Sequence, residues 1–243
     1  MVSKNQIKLI SSLHQKKYRL AHQLFIAEGV KGIHELLGSN FELEHIYTTV
    51  DDFKAIPLAQ KTVVSDADLK KISALTTPNT CLAVFKIPIE RTILNEGIIV
   101  ALDTIRDPGN MGTILRLCDW FGIKQVICSK ETVDLYNPKV VQATMGSIAR
   151  VNVNYLDLKT YLKATKVAVL GTFMEGDVLY NTKFPSDAII ILGNEANGIS
   201  SEIEALVTQK ITIPRFGDLQ QTESLNVATA AAIVLSECKR RVF

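Results

Sequence analysis

The chain has 243 residues, of which 47% are hydrophobic, and its formal net charge is only +2. This length and apolar content suffice for one large or two small domains, each with its own core. No stretch approaches the ~18 consecutive apolar residues of a membrane span, and the first residues lack the apolar centre of a signal peptide.

The cysteines and histidines show no metal-binding pattern. The four cysteines form no CxxC pair, which is typical of reduced thiols in a cytoplasmic protein. All four histidines precede residue 46, and none pairs with a cysteine at metal spacing. The sequence therefore predicts a cytoplasmic location, no membrane association and no metal site.

The basic side chains are concentrated at the N-terminus. Lys4, Lys8, Lys16, Lys17 and Arg19 all precede the first acidic residue, which is Glu28. Such a cluster can follow the phosphates of a nucleic acid. On charge alone, a solvated helix face is the favoured interpretation.

The first part of the chain alternates short helical and extended patterns. Helices are predicted over 30–38 and 64–75, and strands over 43–50 and 81–87. Pro88 ends the second strand, and 87–97 is typical of a linker. We therefore predict a domain over 1–92 and a second domain over 97–243.

The second part alternates strands and helices more regularly. Strands are predicted over 97–103, 124–129, 151–156, 166–173, 188–193 and 210–215, and helices over 110–122, 139–150, 158–165, 200–208 and 224–241. This alternation predicts an α/β fold with a mostly parallel sheet.

Three polar loops follow strands of the second domain. They contain LDTIRDPGNMGTILR, ILGNEANGIS and ITIPRFGDLQQTESLNVATAAAIVLSE. In open parallel sheets, ligands bind at the carboxyl ends of the strands. Each loop alone is a weak signal, because an ordinary turn could have the same composition.

Together and in this order, the three loops resemble the motifs of the SpoU (TrmH-like) RNA ribose methyltransferases of the SPOUT class. The segments KKYRLAHQLFIAEGVKGIHELL and ALTTPNTCLAVFK are similar to the small substrate-binding domain of many members. The resemblance implies a C-terminal trefoil knot, preceded by a small α/β RNA-binding domain. It also implies S-adenosylmethionine as methyl donor, a ribose 2′-hydroxyl as acceptor, and a homodimer paired through the last helix and the first-loop region.

The resemblance assigns residues to two groups. The catalytic group comprises Asn110, Arg116, Glu195, Ser224 and Asn226, and the cofactor-binding group comprises Thr172, Leu192, Gly193, Asn194, Gly198, Ile213 and Leu225. Each polar residue has a plainer alternative. Asn110 or Ser224 could cap the helix that follows it, Glu195 could cap a neighbouring helix, and Arg116 could be a surface arginine.

Other functions stay open beside ribosomal RNA methylation. The RNA could be a transfer RNA, although by family analogy the separate N-terminal domain favours ribosomal RNA. The chain could also be an inactive RNA-binding protein of the same fold, against which the intact polar residues argue. A dinucleotide-dependent oxidoreductase is disfavoured because no strand is followed by Gly-x-Gly-x-x-Gly.

Overall fold

The computed structural model describes residues 2–217 and 224–240, which form two compact units. Unit 1 runs to Glu90 and also contains Asp134–Ala149. Unit 2 contains Arg91–Val133 and the chain from Arg150 onward. The predicted linear division into 1–92 and 97–243 differs from this arrangement, because it leaves Asp134–Ala149 in the second domain.

Unit 1 is built on a four-stranded sheet. Its strands are β1 (Leu24–Glu28), β2 (Leu43–Thr48), β3 (Lys61–Val63) and β4 (Cys81–Lys86), and its helices are α1 (Lys4–Ser12), α2 (Lys16–His22), α3 (Val30–Leu37), α4 (Asp66–Ile72) and α6 (Pro138–Thr144). The strand order is β1-β4-β2-β3, with β4 antiparallel to both neighbours and β2 parallel to β3.

Local capping and apolar burial explain these elements. Ser3 and Gln6 form a capping box at the start of α1, and the Ser65 hydroxyl accepts the Asp68 N–H at the start of α4. The two helices contribute to a common core with the sheet, which includes Ile10, Leu13, Ile26, Leu69, Ile72 and Leu82. Strands β1 and β3, which are only five and three residues long, were not predicted.

A buried ion pair fixes the distant segment within unit 1. Arg19 is only 2% exposed, and its Nη2 lies 2.6 Å from Oδ2 of Asp134. Its Nη1 donates to the carbonyl of Leu13 at 2.8 Å. The sequence placed Arg19 in a surface basic cluster, which is wrong because this partner lies 115 residues along the chain.

The helix predicted over 139–150 is interrupted. α6 ends at Thr144, Met145 and Gly146 adopt positive φ values of 50° and 96°, and a short 3₁₀ turn follows at Ser147–Ala149. A Cβ on Gly146 would lie 2.5 Å from Cβ of Glu35. Glycine is therefore needed where this turn approaches α3.

Unit 2 contains a six-stranded sheet. Its strands are β5 (Ile98–Leu102), β6 (Gln125–Cys128), β7 (Asn152–Tyr155), β8 (Ala168–Val178), β9 (Ala188–Leu192) and β10 (Gln209–Thr212), and its helices are α5 (Pro108–Trp120), α7 (Leu158–Ala164), α8 (Ser201–Glu204) and α9 (Val227–Arg240). The order is β10-β8-β9-β5-β6-β7, and every pairing is parallel. The predicted mostly parallel α/β sheet is confirmed.

The strand order reverses at β5. The chain passes from β5 to β6 and β7 on one side, and then returns to β8 and β9 on the other. Every residue of β5 and of β9 is buried, as expected for central strands covered on both faces. The loops that leave these neighbouring strands therefore meet at a topological switch point, where open α/β sheets bind ligands.

No helix in the described parts of the chain is both long enough and apolar enough to cross a membrane.

We expect the thiols of the native protein to be unreactive. All four cysteines are free and buried, and burial raises the pKa of each, that of Cys81 to about 11. Because the thiolate is the nucleophile, iodoacetamide at pH 8 should modify the folded protein at least about tenfold more slowly than a free thiol. Intact-mass spectrometry should then show full alkylation in guanidinium. Rapid single alkylation of the native chain would contradict this assignment.

Candidate functional site

The first loop leaves β5 and enters α5. Oδ1 of Asp107 accepts the N–H of Asn110 at 2.7 Å, and Pro108 follows at the first helical position. The cap is therefore Asp107, and the alternative that Asn110 caps this helix is wrong. Because the cap is already provided, the side chain of Asn110 is available to another loop.

The second loop leaves β9 as a closed turn. Asn194 and Gly198 exchange two backbone hydrogen bonds of 2.9 and 2.8 Å, and Gly198 has a φ of +68°. A Cβ on Gly193 would overlap the backbone of Gly198 and Ile199. Gly193 is therefore required by a close approach of two backbone segments, as the apolar-strand-to-glycine pattern suggests.

A buried carboxylate connects the first two loops. Asp103 is only 4% exposed, and its Oδ2 accepts the Ser200 N–H at 2.7 Å. Its own N–H donates to the carbonyl of Leu192 at 2.9 Å. Nδ2 of Asn194 donates to the carbonyl of Thr104 at 2.8 Å. These contacts hold the ends of β5 and β9 in one arrangement.

The third loop ends at the start of α9. Oδ1 of Asn226 accepts the N–H groups of Ala228 and Thr229 at 2.9 and 3.3 Å. Asn226 therefore caps α9, and the alternative that Ser224 caps this helix is wrong. Ser224 lies two residues before the cap and is exposed.

The three loops are joined by a chain of side-chain hydrogen bonds. Nδ2 of Asn226 donates to Oδ1 of Asn110 at 2.9 Å, and Nδ2 of Asn110 donates to Oε1 of Glu195 at 2.6 Å. The cap of α9 sets which groups donate along this chain. Backbone N–H groups can only donate, so Oδ1 of Asn226 must accept them, and its Nδ2 is left to donate to Asn110. The chain of hydrogen bonds ends on the carboxyl group of Glu195, which accepts the last of them. Among the described contacts, Glu195 thus accepts a hydrogen bond from the side chain of Asn110 and does not cap a helix.

A cavity of about 1050 Å³ opens beside this chain of hydrogen bonds. Eight of the predicted site residues line it: Thr172, Gly193, Asn194, Glu195, Gly198, Ile213, Ser224 and Leu225. Its walls also include the apolar side chains of Leu179, Ile211, Val227 and Val234. A mostly apolar cavity with a few convergent polar groups is typical of small-molecule sites.

Two predicted residues lie elsewhere. Leu192 is buried in β9, and its carbonyl accepts the N–H of Asp103. Arg116 is exposed on α5, about 9 Å along the helix axis from Asn110 at 1.5 Å per residue. Within the described residues, Arg116 makes no hydrogen bond or ion pair, so its guanidinium is free to bind an external anion.

Comparison with known proteins identifies the family. Residues 97–236 match the SpoU rRNA Methylase family, and residues 4–83 match the MRM3-like substrate binding domain. The chain belongs to the SpoU rRNA methylase family. The resemblance stated from the three loops is therefore confirmed.

Individual relatives cover nearly the whole chain. The 23S rRNA (guanosine(2553)-2′-O)-methyltransferase RlmP of Bacillus subtilis is 31% identical, over 96% of each chain. A solved structure assigned to the TrmH family of RNA methyltransferases, from Porphyromonas gingivalis, has a TM-score of 0.90 and 40% identity over 99% of each chain. The AdoMet-bound rRNA methyltransferase of Sinorhizobium meliloti has a TM-score of 0.87 and 27% identity, over 100% of this chain and 98% of that one.

Sequence reasoning missed several residues of this SpoU site. Asp103 and Asp107 lie inside the quoted first loop, and the position of Asp103 directly after an apolar strand was the available signal. The cavity lining also includes Phe173, Met174, Arg215 and Phe216. Arg215 and Phe216 lie inside the quoted third loop, whereas Phe173 and Met174 lie in β8, where no sequence pattern marks them.

Gly193→Ala should destabilise unit 2 by about 1–3 kcal/mol, because its Cβ would overlap backbone atoms that cannot move aside. The melting temperature in scanning calorimetry should fall by several degrees. Gly217→Ala is the matched control, since Gly217 lines the same cavity but its Cβ would meet nothing within 4 Å. Equal melting temperatures for the two variants would show that the close approach at Gly193 is not needed.

Proposed function

We infer that this chain is an RNA methyltransferase that transfers a methyl group from S-adenosylmethionine to a ribose 2′-hydroxyl of ribosomal RNA. Family membership and the near full-length similarity to a 23S rRNA 2′-O-methyltransferase support this activity. The structural observation that carries it is the hydrogen-bond chain from Asn226 through Asn110 to Glu195 beside the large cavity.

The cavity fits S-adenosylmethionine in size and in chemistry. Its volume of about 1050 Å³ is just above the usual range for small-molecule sites, so it has room for a ligand of this size. The missing Cβ of Gly193 lets the Gly198 segment close against β9. We propose that Thr172, Asn194, Ile213 and Leu225, which line the cavity, hold the cofactor together with these glycines and the backbone near Leu192. The bound cofactor would supply an activated methyl group.

The protein must then orient the acceptor oxygen, because a ribose hydroxyl is a poor nucleophile at neutral pH. Alignment of two reacting groups can supply several kcal/mol of the barrier. Asn110 and Asn226 are fixed by the hydrogen bonds described above, so their positions are set before RNA arrives. We propose that they and Ser224 complete the polar surroundings of the hydroxyl, with Glu195 holding Asn110 in place.

Arg116 is the candidate for the RNA side of the site. Its planar guanidinium can bind a phosphate through two parallel hydrogen bonds. A role as general base is disfavoured, because the pKa of arginine keeps it protonated in proteins. We propose that Arg116 binds a phosphate, orients the hydroxyl and stabilises charge that develops during transfer.

Methyl transfer to rRNA isolated from a strain that lacks this protein tests the function. Radiolabel from S-adenosylmethionine should enter one ribose of the rRNA, and that position should become resistant to alkaline cleavage. Transfer RNA from the same strain should accept no label. RNA binding without any transfer would instead support the inactive RNA-binding alternative.

Arg116→Ala should lower methyl transfer at least about a hundredfold and leave the affinity for S-adenosylmethionine nearly unchanged. Arg116→Lys should also be poor, because a point charge cannot form the forked contact. Lys163→Ala, which removes one exposed positive charge from α7 of the same unit, is the matched control. Filter-binding and turnover assays provide both readouts. Near-normal turnover of Arg116→Ala would remove Arg116 from the mechanism.

We also propose that unit 1 binds RNA in the cytoplasm. Lys4, Lys8, Lys16 and Lys17 are exposed on α1 and α2, where they can contact phosphates. Arg19 does not contribute, since it is buried against Asp134. The match of residues 4–83 to a substrate binding domain supports this role.

We propose that unit 2 contains the trefoil knot of the SPOUT class and pairs into a homodimer through α5 and α9. The two helices pack against each other, and Trp120 at the end of α5 is 84% exposed. A large exposed aromatic side chain is a frequent anchor of protein interfaces. Ala231 cannot test this interface, because it is fully buried within the chain.

Sedimentation at micromolar concentration should show a mass of twice 26.8 kDa. Trp120→Ser should weaken the dimer at least about tenfold, because it removes an anchor side chain. Leu58→Ser, which changes an equally exposed residue of unit 1, should leave the mass unchanged. A wild-type monomer that still methylates RNA would overturn the dimer proposal.

A further inference from the structure

An exposed aromatic cluster borders the cavity on the side of β8 and β10. Phe216 lines the cavity and yet is 81% exposed. The ring of Tyr180 lies 6.3 Å from it, centroid to centroid, with an angle of 31° between the planes. Met174, which also lines the cavity, is exposed as well. We call Phe216, Tyr180 and Met174 the aromatic rim.

The turn that carries Tyr180 is held in place by a buried side chain and by hydrogen bonds. Tyr180 lies in a 3₁₀ turn, Leu179–Asn181, whose Leu179 is fully buried and lines the cavity. The turn is closed by Thr182, whose N–H donates to the carbonyl of Leu179 and whose hydroxyl donates to that of Val178, both at 3.1 Å. Tyr180 is therefore presented from a fixed base, with its neighbour Phe216 directed at the cavity.

The hydrogen-bond chain from Asn226 through Asn110 to Glu195 does not include the residues of this rim. Single exposed apolar side chains are common on protein surfaces and need no explanation. Here Phe216 and Met174 both line the cavity, and the ring of Tyr180 lies beside that of Phe216. Exposed apolar groups clustered beside a binding site are typical of a contact surface.

We propose that the aromatic rim, with Phe216 at its centre, is a stacking platform for the nucleobase of the nucleotide that is methylated. This proposal rests on the function proposed above. Sequence-specific RNA recognition mostly targets single-stranded loops and bulges, whose bases are unstacked and can be splayed out. Proteins that recognise such bases stack them on aromatic side chains, because every base has a π-face.

The adenine of the cofactor is the competing occupant. Gly193, Ile213 and Leu225, which line the cavity, offer backbone groups and small or apolar contacts that an adenosine could also use. Phe216 is 81% exposed, so only a small part of its surface packs against the protein. The remaining face is open to a ligand that arrives from outside, as RNA does. Arg215, which lies next to Phe216 and also lines the cavity, adds a positive charge to this edge of the site.

Substitutions of Phe216 test the platform by separating RNA binding from cofactor binding. Phe216→Ala should raise the KM for rRNA from a strain lacking this protein about tenfold, since stacking on an aromatic side chain is lost. The dissociation constant for S-adenosylmethionine should change less than about twofold by the same reasoning. Phe216→Tyr should keep the wild-type KM, whereas Phe216→Leu, which is apolar but has no ring, should resemble Phe216→Ala. Ile89→Ala removes a side chain that is 94% exposed and should change neither constant.

Fluorescence gives a direct readout of stacking. The chain has one tryptophan, so Phe216→Trp combined with Trp120→Phe places a single fluorophore on the rim. RNA should quench this fluorescence, and S-adenosylmethionine alone should not. Quenching by the cofactor with no further change on adding RNA would assign the rim to adenine and overturn the proposal.

The two proposals fail differently. If the wild-type protein transfers no methyl group to rRNA, the proposed function fails and the platform fails with it. If the wild-type protein methylates rRNA and Phe216→Ala has the same KM for RNA, only the platform is overturned.

Discussion

The arrangement of the site depends on the buried carboxylate of Asp103. Taking a charged group out of water is costly unless hydrogen bonds compensate it, and here the Ser200 N–H and the Thr104 hydroxyl do so. Both donors belong to the loops that must meet at the switch point of the sheet. Loss of this carboxylate would leave the Ser200 N–H without its acceptor at the start of α8. The same contact that satisfies Asp103 therefore keeps the loops after β5 and β9 together.

The contacts of Asp103 also determine how the polar side chains of the site are oriented. With the first two loops fixed, Asn110 and Glu195 lie within one hydrogen bond of each other, and Asn226 joins them from α9. Each amide both accepts and donates, so neither can rotate by half a turn without breaking a contact at each end. The polar groups are thus oriented without any ligand, which is the condition under which positioned dipoles contribute most to catalysis.

The sequence predicts those features that depend on neighbours in the chain. Strands β5 and β9 are visible as continuous apolar runs, and the three polar loops mark the site. The alternative that Asn110 and Ser224 are only helix caps was wrong, because Asp107 and Asn226, a few positions away, cap these helices. The burial of Arg19 and the place of Asp134–Ala149 depend on partners far along the chain, so no local pattern reveals them. The aromatic rim is also a product of tertiary packing.

The discontinuity of unit 1 has a consequence for biosynthesis. α6 packs on β1, and Phe25 of β1 lies 4.8 Å from Tyr136, centroid to centroid. During vectorial translation, β1 is made long before these partners leave the ribosome. The apolar surface of β1 around Phe25 therefore stays uncovered while the first strands of unit 2 are synthesised. Completion of the two units is therefore coupled in time, because unit 1 cannot cover Phe25 until Asp134–Ala149 has been synthesised.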